Sequence, residues 1–150
     1  MTEVFALKAG DARWDALTAF AEASAWRAGP YLAREMRAGR FRDWERVFMA
    51  CVDGKIAGYC VFAEKDELPE EYGLSPFIGF VYVDAAYRGH RLSQAMLDSA
   101  VRYAASCGFA RVYLMSGEKG LYEKYGFEKL GDYPTVWGTV DQLFFKAAAE

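Results

Sequence analysis

The chain has 150 residues, 53% of them hydrophobic and 17% aromatic, with 18 basic against 21 acidic side chains and a net charge of −3. A folded chain of this mass exposes about 7,700 Å² and hides roughly two thirds of its unfolded surface, enough for one core and one domain over residues 1–150. No apolar run approaches the ~20 residues of a membrane span, and the charge balance argues against a partner that depends on phosphate neutralisation.

The N-terminal stretch meets an acid at Glu3 and holds no uninterrupted apolar segment, so a secretory signal is not expected. Cys51, Cys60 and Cys107 match no zinc or redox spacing, which predicts buried free thiols and no metal site. These features together predict a cytoplasmic protein with neither a nucleic-acid nor a membrane partner.

Taken in chain order, Val4 to Leu7 reads as a short first strand. Asp11 is a candidate N-cap for a helix carrying Trp14, Leu17, Ala21 and Ser24, ended by Gly29-Pro30. Pro30 suits the first turn of a second helix reaching Ala38. Arg46 to Val52 and Ile56 to Ala63 flank Asp53-Gly54, a strong hairpin signal because both turn residues must accept positive φ. Lys65 to Pro76 reads as an acidic loop, and Phe77 to Asp84 as a strand buried on both faces.

The periodic residues Met96, Leu97, Ala100, Val101 and Ala104 predict a helix from Leu92 to Ser106. Val112 to Met115 is a short strand, Gly120 to Tyr125 a short helix, and Phe127 to Tyr133 pairs with Trp137 to Phe145. The order predicts an α/β (α+β) fold: a mixed, mostly antiparallel sheet with helices on both faces and one central β-α-β crossover.

Two segments carry chemistry. In Phe80 to Met96 a buried strand stops, turns through Arg88-Gly89-His90-Arg91, and opens a helix at once. The first amides of that helix lack intrahelical partners and sit at the positive end of its dipole, which suits a phosphate or pyrophosphate. In Leu121 to Asp132 aromatic residues end a short helix at Gly126, and a strand starts at Phe127.

In order and spacing these segments resemble the GNAT superfamily of N-acetyltransferases. The family's [QR]-x-x-G-x-[GA] phosphate loop aligns with Arg88 to Ser93 behind Val81-Tyr82-Val83, and its Tyr four residues before Gly-Phe aligns with Tyr122 and Gly126-Phe127. Arg91 stands where the family usually has Gly, Ser93 where it has Gly or Ala, and Met115-Ser116 where many members carry an Asn.

The resemblance implies acetyl transfer from acetyl-CoA to a primary amine of a small molecule or peptide, by direct attack through a tetrahedral intermediate. It implies that Val81 and Val83 pair with the pantetheine arm, and that the amides of Arg88, Gly89, His90, Arg91, Leu92 and Ser93 hold the pyrophosphate. Tyr122 becomes the acid for the departing thiolate. A non-catalytic acyl-CoA-binding or sensing module on the same fold is the alternative.

The central strand FIGFVYV holds no acid, so the base is expected to be a water relay or a carboxylate from Glu64 to Glu71. That loop otherwise reads as solvated. The arginines Arg34, Arg37, Arg40, Arg42 and Arg46 read as a salt-bridged face, and Trp26, Tyr31, Phe41 and Trp44 as core or acceptor-pocket aromatics. The apolar ending Leu143-Phe144-Phe145 suggests self-association as a homodimer.

Overall fold

The computed structural model describes residues 1–149. Seven strands form one sheet: β1 (Thr2–Leu7), β2 (Arg46–Val52), β3 (Lys55–Ala63), β4 (Phe77–Val83), β5 (Arg111–Ser116), β6 (Glu128–Pro134) and β7 (Val140–Ala147). Their spatial order is β1-β2-β3-β4-β5-β7-β6, and every neighbouring pair is antiparallel except β4–β5. The helices are α1 (Trp14–Ala23), α2 (Gly29–Ala38), α3 (Leu92–Ser106) and α4 (Leu121–Lys124).

Each face of the sheet buries its own cluster. Phe48, Cys60, Phe62, Ile78, Leu114 and Phe144 meet Met96, Leu97, Ala100 and Val101 of α3. On the other face Val47, Met49, Tyr59 and Tyr82 meet Leu17 and Ala21 of α1 and Leu32 and Met36 of α2. Helices therefore cover both faces, and the crossover β4-α3-β5 joins the parallel pair.

Local chemistry sets most element ends. Asp53 and Gly54 take φ of 49° and 81°, the two positive values that a tight turn between twisted strands requires. Gly39, at φ 66°, ends α2 by sending its amide to the Met36 carbonyl while Arg40 reaches Glu35.

Three expectations shift. Asp11 does not cap α1; its carboxylate accepts the Lys8 amide at 2.9 Å, and the helix starts after Arg13 without a side-chain cap. The last strand starts at Val140, because Thr135 and Thr139 close a turn whose hydroxyls lie 2.6 Å apart and leave Trp137 exposed. Cys107 is exposed at the end of α3, whereas Cys51 and Cys60 are buried.

The apolar ending also serves the interior. Leu143 and Phe144 are fully buried in the chain's own clusters, and Phe145 packs partly buried beside them. Three of the five arginines form ion pairs, Arg37 with Glu22 at 2.5 Å, Arg40 with Glu35 at 3.6 Å and Arg42 with Glu64 at 2.9 Å, while Arg46 donates to the Asp43 and Glu45 carbonyls. Among the described residues, no helix is long and apolar enough to cross a membrane.

The start of α2 passes close to the end of α1 at Gly29. A Cβ there would overlap the Ser24 hydroxyl and the Ala21 carbonyl and come within 3.1 Å of the Tyr59 hydroxyl. Gly29→Ala should cost about 1–3 kcal/mol through overpacking, despite alanine's better helix propensity. At about 2–4 °C per kcal/mol, the melting point should fall by roughly 2–12 °C. An unchanged thermal midpoint would show that α1 and α2 have more room than this packing allows.

Candidate active site

The site begins with a reversal inside β4. Alternation along a strand turns the polar groups of every second residue to the same side. The Pro76 carbonyl faces β5, where it accepts the Tyr113 amide at 2.9 Å, while the Asp84 amide faces β3 and donates to Ala57 at 2.8 Å. Both residues carry even numbers, so regular alternation would send them to one side, and the alternation must reverse between them.

Phe80 marks that reversal. Its φ is +52°, and the β3–β4 register slips between Tyr59 and Val61, as at a bulge. The consequence is that Val81 and Val83 turn their backbone polar groups away from β3. β4 and β5 share one register pair, Phe77↔Tyr113, and diverge beyond it. The amides of Val81 and Val83 therefore line an open gap between two parallel strands.

The turn after β4 supplies a second set of amides. Gly89 has φ 88° and Arg91 φ 58°, an alternation that gathers successive N–H groups into a concave nest. No side chain caps α3, whose first internal bond runs from Ala95 to the Arg91 carbonyl at 3.1 Å. Arg88, Gly89, His90 and Arg91 are exposed, Leu92 is buried beneath them, and Arg88 Nε folds back to the Val83 carbonyl at 3.3 Å. The Ser93 hydroxyl points away from the nest to Tyr125 Oη at 2.8 Å. This link ties α3 to α4.

The spacing Tyr122…Gly126-Phe127 has a local cause. The Phe127 amide bonds the Tyr122 carbonyl and the Gly126 amide bonds Glu123, both at 3.0 Å. With Gly126 at φ 89°, this is the left-handed helix ending in which the outgoing hydrophobic residue packs on the residue five before it. The rings of Tyr122 and Phe127 accordingly meet at 6.2 Å, with Tyr125 at 6.2 Å and Phe144 at 5.8 Å. Lys146 Nζ donates to the Tyr125 carbonyl at 2.7 Å and complements the helix end. Tyr122 is thus held in the α3-side cluster by Tyr125, Phe127 and Phe144. Burial pushes its phenol up to about 12, against a smaller lowering by the Ser116 hydroxyl, so it is a protonated group at neutral pH.

A family model described as the Acetyltransferase (GNAT) family matches residues 12–127. The chain belongs to that family. The acetyltransferase is also similar in fold to an aminoglycoside 6'-N-acetyltransferase complexed with coenzyme A, at 13% identity and a TM-score of 0.70, covering 99% of this chain and 98% of that one. An aminoglycoside 6'-acetyltransferase type Ii gives 15% identity and 0.70 over 100% and 98%. A chain from Desulfovibrio desulfuricans, assigned to the GNAT family, gives 11% and 0.72 over 99% and 100%. No curated protein matches by sequence.

On the opposite face of β4 lie two of the four aromatic residues read from the sequence as core or acceptor-pocket side chains. Trp26 stacks on Tyr82 at 5.7 Å and meets Phe80 edge-on at 6.1 Å, while Tyr31 stacks on Phe80 at 6.0 Å. Phe41 and Trp44 instead pack on Trp14 and on Phe62 and Phe109, away from the reversal.

The 64–71 loop is not simply solvated. A Cβ on Gly79 would overlap the Asp66 carboxyl, which is tucked against the strand although the residue keeps some surface open. Burial, with the nearby Asp141 charge adding and the Glu67 amide opposing, raises Asp66 to about 7. Burial and the neighbouring Asp66 and Asp141 raise Glu67 as well. The missed signal was Gly79 itself, since a glycine in a central strand often marks a close approach.

A carboxyl raised in the folded state contributes stability that is complete below its unfolded value, 3.8 for Asp, and is lost as the pH climbs to about 7. Asp66→Asn cannot titrate. Its melting point should rise relative to the parent's as the pH goes from 4 to 7, and the gap should stay level above that. Thermal melts between pH 4 and 8 check this, and a gap independent of pH would contradict it.

Proposed function

We propose that this chain is one catalytic domain from end to end that moves an acetyl group from acetyl-CoA to a primary amine. The observation that carries the reading is the reversal at Phe80, which turns the amides of Val81 and Val83 into the gap between β4 and β5. An extended amide-bearing arm such as pantetheine would complete the edge of β4 there, as an added strand does. The nest from Arg88 to Ser93 lies at the end of the same strand and fits a pyrophosphate; its donors are backbone amides, so the Arg91 and Ser93 side chains do not obstruct it. Acetyl-CoA, when bound, would supply the acetyl group activated as a thioester.

This chain's residues then have defined tasks. The Val81 amide faces the thioester oxygen and stabilises the charge that develops on it. Tyr122 lies on the α3 side of the gap and protonates the departing sulfur. A phenol raised to about 12 gives its proton up against the gradient, and it recovers one from the nitrogen that has just become an amide.

The acceptor reaches the gap from the other face, past Trp26, Tyr31 and Phe80. Similarity in fold to aminoglycoside acetyltransferases supports a small-molecule amine as the acceptor class.

The test is thiol release from acetyl-CoA against a panel of primary amines, an aminoglycoside and a polyamine among them. Tyr122→Phe should lower kcat by about 10²–10⁴-fold, while the thermal shift produced by acetyl-CoA stays within a degree or two of the parent's. Unchanged turnover across pH would remove Tyr122 from the reaction. No thiol release with any amine would overturn the proposed activity.

A further inference from the structure

At neutral pH an alkylamine is an ammonium ion, and it must lose a proton before it can attack. β4 carries no acid, and His90 lies exposed in the turn before α3, among the amides assigned to the pyrophosphate. The acids of the 64–71 loop separate clearly. Glu64 pairs with Arg42 at 2.9 Å, Glu70 pairs with Lys65, and Glu71 is exposed. Asp66 has none of these fates.

The loop around Asp66 is fixed on both sides. The Glu64 amide donates to the buried Glu45 carboxylate at 2.7 Å, and Ser75 Oγ donates to the Glu64 carbonyl at 2.9 Å. The Val136 amide donates to the Glu67 carbonyl at 2.8 Å. Leu68 is buried among Phe77, Tyr113, Met115 and Leu143. Between these anchors the Asp66 carboxyl is pressed onto Gly79, the residue immediately before the reversal at Phe80. Gly79 leaves a space that only a missing side chain can provide, and a carboxyl fills it.

Phe80 and Tyr82 belong to the cluster on the α1–α2 face, while Ile78, Val81, Val83 and Tyr122 belong to the α3 face. Alternation from Ile78 turns the Gly79 position away from α3, so the Asp66 carboxyl pressed onto it and Tyr122 flank the gap from opposite sides of the sheet.

We propose that Asp66 is the general base of this enzyme and takes the proton from a cationic amine entering over Phe80, with Asp141 of β7 holding negative charge nearby. This rests on the acetyl-transfer reading above. In balance, the ammonium gives one proton to the Asp66 carboxylate, and the freed nitrogen lone pair forms the C–N bond to the acetyl carbon. The C–S bond breaks, and sulfur takes the Tyr122 phenolic proton. The tyrosinate recovers the second proton lost by nitrogen, and Asp66 releases its own to water. The net products are the amide, CoA thiol and one proton.

The charged group that acts on Asp66 is Asp141 of β7, while the backbone amide of Glu67 donates to its carboxylate; Glu67 in turn is raised by Asp66 and Asp141, and no Lys, Arg or His among the described residues contributes to the raised titration of either loop acid. Such a carboxyl is half ionised near 7, the poise a base needs at that pH.

The test uses n-propylamine, an ammonium at neutral pH, and trifluoroethylamine, which is already a free amine there. For the parent enzyme, kcat/KM with n-propylamine should rise to about pH 7 and then level off. For Asp66→Asn it should fall about 10²-fold or more at pH 7.5 and climb tenfold per pH unit, because only the free amine now reacts. With trifluoroethylamine the variant should stay within about threefold of the parent, comparable to uncatalysed deprotonation being already complete. Gly79→Ala, which displaces the carboxyl without changing charge, should copy the Asn profile, and both variants should keep the acetyl-CoA thermal shift. A parent profile that itself climbs tenfold per unit, or an Asn variant that levels off like the parent, overturns Asp66 alone. A parent that releases thiol with neither amine overturns the acetyl-transfer reading and this proposal together.

Discussion

Everything in the cleft depends on one residue's departure from regular strand geometry. If β4 alternated without interruption, Val81 and Val83 would spend their amides on β3, and the edge facing β5 would present the wrong residues. The left-handed turn of the backbone at Phe80, φ +52°, reverses that parity in one step. A bulky residue in that conformation is costly, of order 1–3 kcal/mol, and persists only where its surroundings over-determine it. Here Trp26 and Tyr31 clamp the Phe80 ring from one face, while the β3 pairing on either side fixes the register.

The same reversal sorts the chemistry between the two faces of the sheet. Because Phe80 and Tyr82 turn to the α1–α2 side and Val81 and Val83 to the α3 side, the gap is bordered by different groups above and below. The α3 side holds a phenol that burial keeps protonated, and the opposite side holds carboxyls that burial makes reluctant to ionise. Pushing the proton affinities of paired groups away from their ordinary values is how one site runs acid and base steps at a single pH. The cost is stability, since a raised carboxyl weakens the fold as the pH rises.

Much of this was legible in the residues. Hairpin β2–β3 follows from Asp53-Gly54, α3 from its apolar period, and the ending of α4 from the single spacing that lets Gly126 turn left and Phe127 fold onto Tyr122. These are short-range effects, and local sequence carries them. The start of α1 was misplaced because Asp11 had a nearer amide to bind, at Lys8. The Phe80 reversal was invisible because FIGFVYV reads as an ordinary buried strand, and parity is set by partners on both sides rather than by the strand itself. Asp66 was lost among similar acids for the same reason. What distinguishes it from Glu64 or Glu70 is that no cation among the described residues pairs with it and that Gly79 has no side chain, facts about distant segments. The thiols divided in the same way: Cys60 lies inside a central strand, and Cys107 falls just past a helix end on the solvent side.

The central claim, that the β4–β5 gap and the nest before α3 form one site for acetyl-CoA, is tested most directly by thermal melts with acetyl-CoA and with ATP as the control nucleotide. At about 100 times its dissociation constant, a ligand specific to the folded state adds ~2.7 kcal/mol. For a chain of this size that corresponds to a rise of roughly 5–10 °C. The account predicts that rise with acetyl-CoA and none with ATP. Equal shifts with both would reduce the site to a phosphate nest, and no shift with either would contradict the account.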